Sequence, residues 1–361
     1  MTSFSAQNII TAFASTAPGL EPVVRHELSL WSIEGTLTNG GVDFQCPFSE
    51  FITLAQMLRS PSRLLLRLNH GPLKKLTDLH ALLNASPLAQ LLPRGSMTEL
   101  HVSTQNSLLR SDILKSKAKR MLKAILKSRP QEQLPQQIFL RVNGDSADLS
   151  IDPIGELRHK RGWRLEQGKA PLRENWAASL LFMAGWMPDE PLIDPFCGSG
   201  TIPIEAALMA ARRSPFVQTK FPFHSWSIPS KTAPHPIAPV TPAFIQGSDH
   251  HAPSLEWAQN NARRAGVSCD WKPCAISELT SHQQQGLIIS NPPYGKRLGQ
   301  DVRNCYRLMG QRLRTELPTW RAIFLSPTEK LARMVDARVA CLCTFKNGGQ
   351  RVGVWTLEPA E

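Results

Sequence analysis

The sequence predicts an α/β protein in which a smaller α+β region precedes a doubly wound parallel sheet. Three observations support this fold class. Strands and helices alternate from about residue 156 onward, a β-α-β-β-α-β order opens the chain, and a glycine-rich turn joins a strand to a helix at residues 192–201. A chain of 361 residues also favours two or three domains over one.

The N-terminal region divides into two α+β units. Residues 8–14 and VDFQC after Gly40–Gly41 have strand composition, whereas Leu20–Trp31 has helical spacing of its apolar residues. This order predicts a ferredoxin-like sandwich over residues 1–68. A second α+β unit is predicted over residues 69–155.

The second unit contains a strongly basic helix, predicted over Asn106–Arg129. One face of this helix is apolar, and the segment carries eight basic side chains against a single acid, Asp112. A solvated helix face is one interpretation. The charge imbalance, together with a net charge of +12 and a pI near 9.6, favours contact with a polyanion such as nucleic acid.

The C-terminal half, residues 156–361, alternates strands with helices such as Leu172–Ala184. The stretch 221–242 contains six prolines and is predicted to be a loop or lid, since neither a helix nor a central strand tolerates that density. The motif His159–Arg164 is either a polar linker or a packed segment, and the sequence leaves both open.

Composition also bears on metals, membranes and redox state. The seven cysteines are scattered without a C-x-x-C pair, and no histidine cluster completes a zinc set, so we expect reduced thiols and no metal. No apolar run reaches the length of a membrane span, and no signal peptide is evident. We therefore expect a cytoplasmic protein without membrane contact.

The glycine-rich turn is the first motif with chemical meaning. It ends a strand with Asp194 and opens a helix after Gly198 and Gly200, which lets the backbone approach a ligand at the helix N-terminus. Pro203 stands where a dinucleotide fingerprint needs its third glycine. An acid at Asp194 would repel a pyrophosphate but suits a sulfonium-bearing amino acid.

Two further motifs end the following strands. Asp249 follows the strand AFIQGS, where a carboxylate can bind both hydroxyls of a ribose. Asn291, Pro292, Pro293 and Tyr294 follow the apolar strand LIIS. The Asn291 side-chain oxygen and the Pro292 carbonyl can accept both hydrogens of an amine, and Tyr294 offers a face for a planar base. The plainer alternative is an ordinary strand-end turn.

These motifs carry a family resemblance. DPFCGSGT, Asp249 and NPPYGKRLG, with HKRGWR and APLRENWAASLL upstream, resemble the THUMP-domain RNA guanine-N2 methyltransferases, the bacterial 23S rRNA and tRNA m2G enzymes. The resemblance covers nearly the whole chain. It implies a ferredoxin-like domain (1–68), a THUMP RNA-binding domain (69–155) and a Rossmann-like domain (156–361) that uses S-adenosyl-L-methionine.

The resemblance also implies residue roles. The catalytic set is Asn291, Pro292, Pro293 and Tyr294, and the cofactor set is Asn175, Asp194, Cys197, Gly198, Gly200, Thr201, Asp249 and Asn291. Two positions depart from the family: Ala275 stands where an acid commonly holds the adenine, and Lys296 stands where many relatives carry an acid.

The function that the resemblance implies is methyl transfer to guanine N2 in structured RNA, with 23S rRNA as the first candidate substrate. A tRNA guanine, adenine N6 of DNA, and a non-catalytic RNA-binding role are the alternatives.

Cys274 follows a proline, as the nucleophile of C5-pyrimidine methylases does, but it follows the third strand and not the fourth. His250 and His251 lack a third ligand at metal spacing and are expected to be exposed.

Overall fold

The computed structural model describes residues 4–127, 134–168, 172–217, 220–228, 238–294, 299–347 and 349–359. The contacts among these described residues divide the chain into two compact units. The first unit comprises residues 1–15, 28–158 and 218–234. The second comprises residues 16–27, 159–217 and 235–361.

The first unit is built on one seven-stranded sheet. Its strand order is β2-β3-β1-β4-β7-β6-β5, with β5 and β6 parallel and the other neighbours antiparallel. The first six elements have the predicted β-α-β-β-α-β order. The elements up to residue 152 are β1 (Ile9–Ser15), α1 (Glu21–Ser29), β2 (Gly35–Thr38), β3 (Gly41–Pro47), α2 (Phe48–Met57), β4 (Arg63–Pro72), α3 (Asp78–Asn84), α4 (Leu88–Leu91), β5 (Thr98–Gln105), α5 (Ser111–Leu126), β6 (Gln136–Asn143) and β7 (Ser146–Asp152).

Strand β4 shows why this sheet forms. Leu64, Leu66 and Leu68 are buried on one face, and they alternate with the partly exposed Arg63, Leu65 and Arg67 on the other. Arg63 pairs with the buried Asp152 at 2.6 Å, and Arg67 pairs with an acid of β3. Alternation of this kind fixes the register, because a slip of one residue would exchange the two faces.

Helix α5 is shorter than the sequence predicts. It begins at Ser111 and not at Asn106, which has a positive φ of 52°, and the predicted end at residues 128–129 lies outside the described residues. The helix buries four apolar side chains, whereas Ile113 remains exposed. The exposed cations are Lys115, Lys119, Arg120, Lys123 and Lys127, so the predicted basic face is present.

The second unit is a doubly wound sheet of the predicted class. Its order is β10-β9-β8-β11-β12-β14-β13, with the first five strands parallel and the last two antiparallel. The switch point therefore lies between β8 and β11. The elements are α6 (Glu174–Met183), β8 (Leu192–Asp194), α7 (Thr201–Ala210), β9 (Ile245–Asp249), α8 (Ala252–Ala265), β10 (Asp270–Pro273), β11 (Leu287–Ser290), α9 (Gly299–Thr315), β12 (Arg321–Ser326), α10 (Glu329–Ala332), β13 (Ala340–Asn347) and β14 (Gln350–Leu357).

The motif that begins at His159 is packed and is not a polar linker. Arg161 is fully buried and pairs with the equally buried Glu205 at 3.1 Å, and Trp163 is also fully buried. A buried ion pair is tolerated only when both charges are compensated, as they are here. This burial decides the alternative that the sequence leaves open.

The proline-rich stretch 221–242 contains a short 3-10 turn at Pro222–Ser225, and its residues 229–237 lie outside the described residues. Among the helices described, none has both the length and the hydropathy that crossing a membrane requires.

Candidate active site

A cavity of about 320 Å³ opens at the carboxyl ends of the parallel strands in the second unit. The turns after β8, β9 and β11 form most of its wall, which is where open α/β sheets bind ligands. The lining residues are Gly168, Leu172, Asp194, Phe196, Cys197, Gly198, Ser199, Thr201, Ile202, Asp249, His250, Asn291, Pro292, Pro293 and Tyr294. The fold thus brings most of the predicted site residues together around one cavity.

The two glycines of the turn have different roles. Both have a positive φ, 52° at Gly198 and 81° at Gly200. A Cβ on Gly198 would meet no atom within 4 Å, so this position stays open toward the cavity. A Cβ on Gly200 would lie 2.8 Å from the ring of Trp271 and 2.9 Å from Ala258. Gly200 is therefore needed for close packing and does not line the cavity.

Asp249 joins the end of β9 to the glycine turn. Its Oδ2 accepts a hydrogen bond from the Gly198 N–H at 3.0 Å, and its Oδ1 accepts one from the His251 N–H at 2.9 Å. A carboxylate offers about four lone-pair sites, so acceptor capacity remains for the hydroxyls of a ligand. The geometry is compatible with the predicted ribose contact.

Asp194 is the buried acid of the site. Its Oδ1 accepts hydrogen bonds from Ser290 Oγ at 2.9 Å and from the Phe196 N–H at 3.1 Å. Burial nevertheless raises the pKa of this carboxyl to about 7, and the charge of Asp249 adds to the rise. A cationic ligand would favour the charged form, so Asp194 suits a positively charged group.

The turn after β11 offers an acceptor to the cavity. The Oδ1 atom of Asn291 is buried and has no hydrogen-bond partner among the described residues. The hydroxyl of Tyr294 accepts a hydrogen bond from Asn347 Nδ2 at 2.6 Å, and burial raises the pKa of this phenol. An orphaned buried oxygen costs free energy unless a ligand donates to it. Lys296 lies outside the described residues.

Other predicted positions lie away from the cavity wall. Asn175 is buried within α6, where its backbone oxygen accepts from Ser179 Oγ, and it is not among the lining residues. Ala275 precedes a short 3-10 turn (Ile276–Glu278) and is also not among them. Its neighbour Cys274 has a pKa raised by burial, which disfavours the thiolate that covalent catalysis needs.

The histidines lack the arrangement of a metal site. His250 is exposed over 78% of its side chain and lies 3.5 Å from Asp249 Oδ1. In the described part of the chain, no group of three or more His, Cys, Asp or Glu side chains is placed to hold a metal ion.

Sequence reasoning missed several residues that support the site. Ser290, directly before the Asn-Pro-Pro-Tyr turn, reaches Asp194 because β8 and β11 are parallel neighbours that end together. Asn347 comes from β13, far along the chain, and the sequence carries no signal for it. Arg164 donates to Leu172 O at 2.5 Å and to Thr201 Oγ1 at 3.3 Å, which links two parts of the lining.

Arg164 also forms an ion pair with Glu174 at 3.0 Å. Burial raises the pKa of Glu174 to about 7 even though Arg164 acts in the opposite direction, so desolvation dominates at this carboxyl.

The residues present fit the predicted S-adenosyl-L-methionine. Asp194 can neutralise a positive charge, Asp249 has acceptor capacity for hydroxyls, and Gly198 leaves room for close approach to the backbone. Asn291 supplies an acceptor in the same cavity that no other described residue uses.

Several solved structures match over nearly the whole chain, among them the following three. The structure of SMU.472 complexed with SAH is 25% identical, covers 98% of this chain and 99% of that chain, and has a TM-score of 0.83. A predicted N6-adenine-specific DNA methylase from Listeria monocytogenes is 25% identical over 98% of this chain and 97% of that chain, also with a TM-score of 0.83. TrmN from Thermus thermophilus, at 20% identity, covers 98% of this chain and 100% of that chain with a TM-score of 0.73, and this likeness concerns the fold alone.

Family comparison matches both parts of the chain. Residues 11–65 match the RlmL ferredoxin-like domain, and residues 161–352 match the family described as RMKL-like, methyltransferase domain. The second match covers more than half of the chain, and the two together confirm the predicted family and fold class. The protein therefore belongs to the UPF0020 family of RMKL-like methyltransferases.

Proposed function

We propose that the protein transfers a methyl group from S-adenosyl-L-methionine to the exocyclic N2 amine of a guanine in structured RNA, with 23S rRNA as the first candidate. One observation carries this proposal. Asn291 brings a buried acceptor oxygen, which has no partner in the described part of the chain, to the same cavity as Asp194, Asp249 and Gly198. An amine donor from the substrate would satisfy that oxygen.

The chemistry follows from the acceptors. S-adenosyl-L-methionine supplies a methyl group activated by its sulfonium charge. Asn291 Oδ1 and the Pro292 carbonyl accept the two N–H groups of the amine, which turns the nitrogen lone pair toward the methyl carbon. The C–N bond forms as the C–S bond breaks, and the amine then loses one proton to solvent. Positioning of this kind can supply on the order of 7–11 kcal/mol without a strong base.

The rest of the chain supports a nucleic-acid substrate. The exposed lysines and arginines of α5 and the net charge of +12 favour phosphate contacts. We assign RNA binding to the predicted THUMP region at residues 69–155, together with the ferredoxin-like domain. The target guanine must leave its stack or be unpaired, since N2 is otherwise unreachable. An rRNA or tRNA substrate also favours a cytoplasmic enzyme.

A second candidate is adenine-N6 methylation of DNA. The Listeria monocytogenes structure is described as a predicted N6-adenine-specific DNA methylase, and an adenine amine would fit the same two acceptors. A tRNA guanine is a further candidate within the RNA proposal. A purely binding role is disfavoured, because Asp194, Asp249 and Asn291 are all present in the cavity.

The test is nucleoside analysis by mass spectrometry of rRNA, tRNA and DNA, each purified from cells that lack this gene. We expect N2-methylguanosine to be lost from 23S rRNA, and to be restored by the wild-type gene but not by Asn291→Ala. Loss from tRNA alone would change the substrate, and loss of N6-methyladenine from DNA would favour the second candidate. Unchanged pools would contradict the proposal.

The Asn291→Ala variant also needs a binding control. Its affinity for SAH, measured by calorimetry, should equal that of the wild type. The resemblance implies both a catalytic and a cofactor role for Asn291, and we assign its side chain to the amine. Normal turnover by this variant would exclude the amine-holding role.

A further inference from the structure

Asn261 lies in α8, is fully buried, and contacts two separate stretches of backbone. Its Nδ2 donates to Ser199 O at 3.1 Å and to Glu166 O at 2.9 Å. Its Oδ1 accepts from the Leu165 N–H at 3.2 Å and from Arg264 Nη1 at 2.8 Å. Both amide hydrogens and both oxygen lone pairs are therefore used.

This network admits only one orientation of the amide. A flipped Asn261 would place its oxygen against two carbonyl oxygens and its NH₂ group against an N–H and a guanidinium. An aspartate would meet the same two carbonyls without any hydrogen to donate. The position therefore requires asparagine chemistry, and a carboxylate of nearly equal size cannot replace it.

The two stretches that Asn261 joins belong to different parts of the cavity wall. Ser199 lines the cavity between the two glycines of the turn, and Gly168 lines it two residues after Glu166. The Glu166 carboxylate is held in turn by Arg264 Nη2 at 2.8 Å and by Asn260 Nδ2 at 3.2 Å. Helix α8 thus holds both parts of the wall through the hydrogen bonds of Asn261, while no residue of the helix is among the lining residues.

We propose that Asn261 is a positioning residue for the methyl donor. It holds the glycine turn and the segment 165–168 at the separation that the donor requires. The inference rests on the proposed function only in taking this cavity as the S-adenosyl-L-methionine site. It assigns no contact between Asn261 and the donor or the RNA, so it predicts an effect on donor affinity alone.

The test uses Asn261→Asp in the full-length protein, with SAH as the probe in calorimetry. We expect the Kd for SAH to rise about tenfold or more, which corresponds to about 1.4 kcal/mol. The turnover number at saturating donor and the KM for RNA should stay within about threefold of the wild type, because the amine-holding turn is untouched.

Two further variants separate positioning from general stability. Tyr306→Phe removes a buried hydrogen bond to Leu325 O elsewhere in the same unit, so it should lower thermal stability without changing the Kd for SAH. Glu166→Gln weakens the partly exposed pair with Arg264 and should raise the Kd by about twofold to threefold while the protein folds normally.

The outcomes are distinct. An Asn261→Asp protein that melts earlier but binds SAH like the wild type would overturn the positioning role. If Asn261→Asp does not fold, Asn261→Ala decides, because it removes the hydrogen bonds of the amide without placing an oxygen against the two carbonyls, and an unchanged Kd there would overturn the role as well. A wild-type protein that binds no SAH would overturn the proposed function too.

Discussion

Ser290 Oγ donates a hydrogen bond to Asp194 Oδ1 over 2.9 Å, where the parallel strands β11 and β8 end side by side. The serine is fully buried and directly precedes Asn291. The acid assigned to the donor and the turn assigned to the amine are therefore linked through one short contact. Burial still raises the pKa of Asp194 to about 7, so one hydroxyl does not offset the desolvation of the charge.

The raised pKa predicts that donor binding depends on pH. S-adenosyl-L-methionine carries positive charge, so it should bind best when Asp194 is ionised. We expect the Kd to rise as the pH falls below about 7, by at most about tenfold per pH unit, and to level off above it. Calorimetric titrations between pH 5.5 and pH 8.5 would measure this profile, and the same titrations on Asp194→Asn would give the ligand's own contribution. Parallel profiles for both proteins would exclude Asp194 as the titrating group.

Asp194 should also make the stability of the protein depend on pH. Here the protonated carboxyl is the favourable form, whereas donor binding favours the ionised one. An acid whose pKa is higher in the folded state than in the unfolded state, here about 7 against 3.8, binds more protons when folded. Its contribution to stability therefore declines as the pH rises from about 4 to about 7 and is constant above that. Asp194→Asn should unfold at a higher denaturant concentration than the wild type at pH 8, and this advantage should vanish near pH 4. A less stable variant at pH 8 would contradict the assignment.

The open side of Gly198 predicts a selective loss of donor binding. Gly198→Ala places a Cβ in the cavity and strains a left-handed residue, which costs about 1–2 kcal/mol of unfolding free energy. Gly40→Ala is the matched control, because Gly40 also has a positive φ with no atom within 4 Å of a Cβ but lies in the first unit. Both variants should lose similar stability, and only Gly198→Ala should bind SAH more weakly. Equal affinities would show that the Cβ does not meet the donor.

The sequence predicts those parts of the site that follow strand ends in chain order. Asp194 and Asp249 each end a parallel strand, Asn291 directly follows one, and parallel strands bring such ends to one edge of a sheet. Asn347 and Asn261 carry no comparable local pattern, because one reaches the site from an antiparallel strand and the other from the inner face of a helix. Their roles depend on tertiary packing.

Local sequence patterns also mispredict where a helix begins and which side chains are buried. The sequence predicts that α5 begins at Asn106, but Arg110 has extended backbone angles (φ −77°, ψ 134°), so the helix begins only at Ser111. The motif from His159 to Arg164 looks polar by composition, yet Arg161 is fully buried because Glu205, 44 residues further along the chain, compensates its charge. A partner so distant in sequence leaves no trace in the local pattern.

The ring of Tyr294 should matter more than its hydroxyl. If the target base stacks on this ring, Tyr294→Ala should lower kcat/KM for RNA by about tenfold to a hundredfold, the equivalent of about 1–3 kcal/mol of stacking. Tyr294→Phe keeps the ring and loses only the hydrogen bond from Asn347, so it should stay within about threefold. Steady-state kinetics at saturating donor would measure both. A Phe variant as impaired as the Ala variant would show that the hydroxyl itself contacts the substrate.

The exposed cations of α5 should strengthen the binding of RNA and, at the same time, lower the stability of the helix. Lys115, Lys119 and Lys123 are spaced four residues apart, so their like charges repel along one face by about 0.2–0.5 kcal/mol per pair. The triple alanine variant should therefore be at least as thermally stable as the wild type. It should also bind 23S rRNA more weakly, because three cations no longer release counterions from phosphates.

The salt dependence of RNA binding tests this assignment directly. The slope of log K against log salt concentration should become shallower by about 0.7–0.9 for each lysine that contacts a phosphate. Lys330→Ala, which removes an exposed cation from α10, serves as the matched control and should leave the slope unchanged. A triple variant that is stable and keeps the wild-type slope would show that the basic face of α5 is only solvated, and the RNA contacts would then have to come from other parts of the chain.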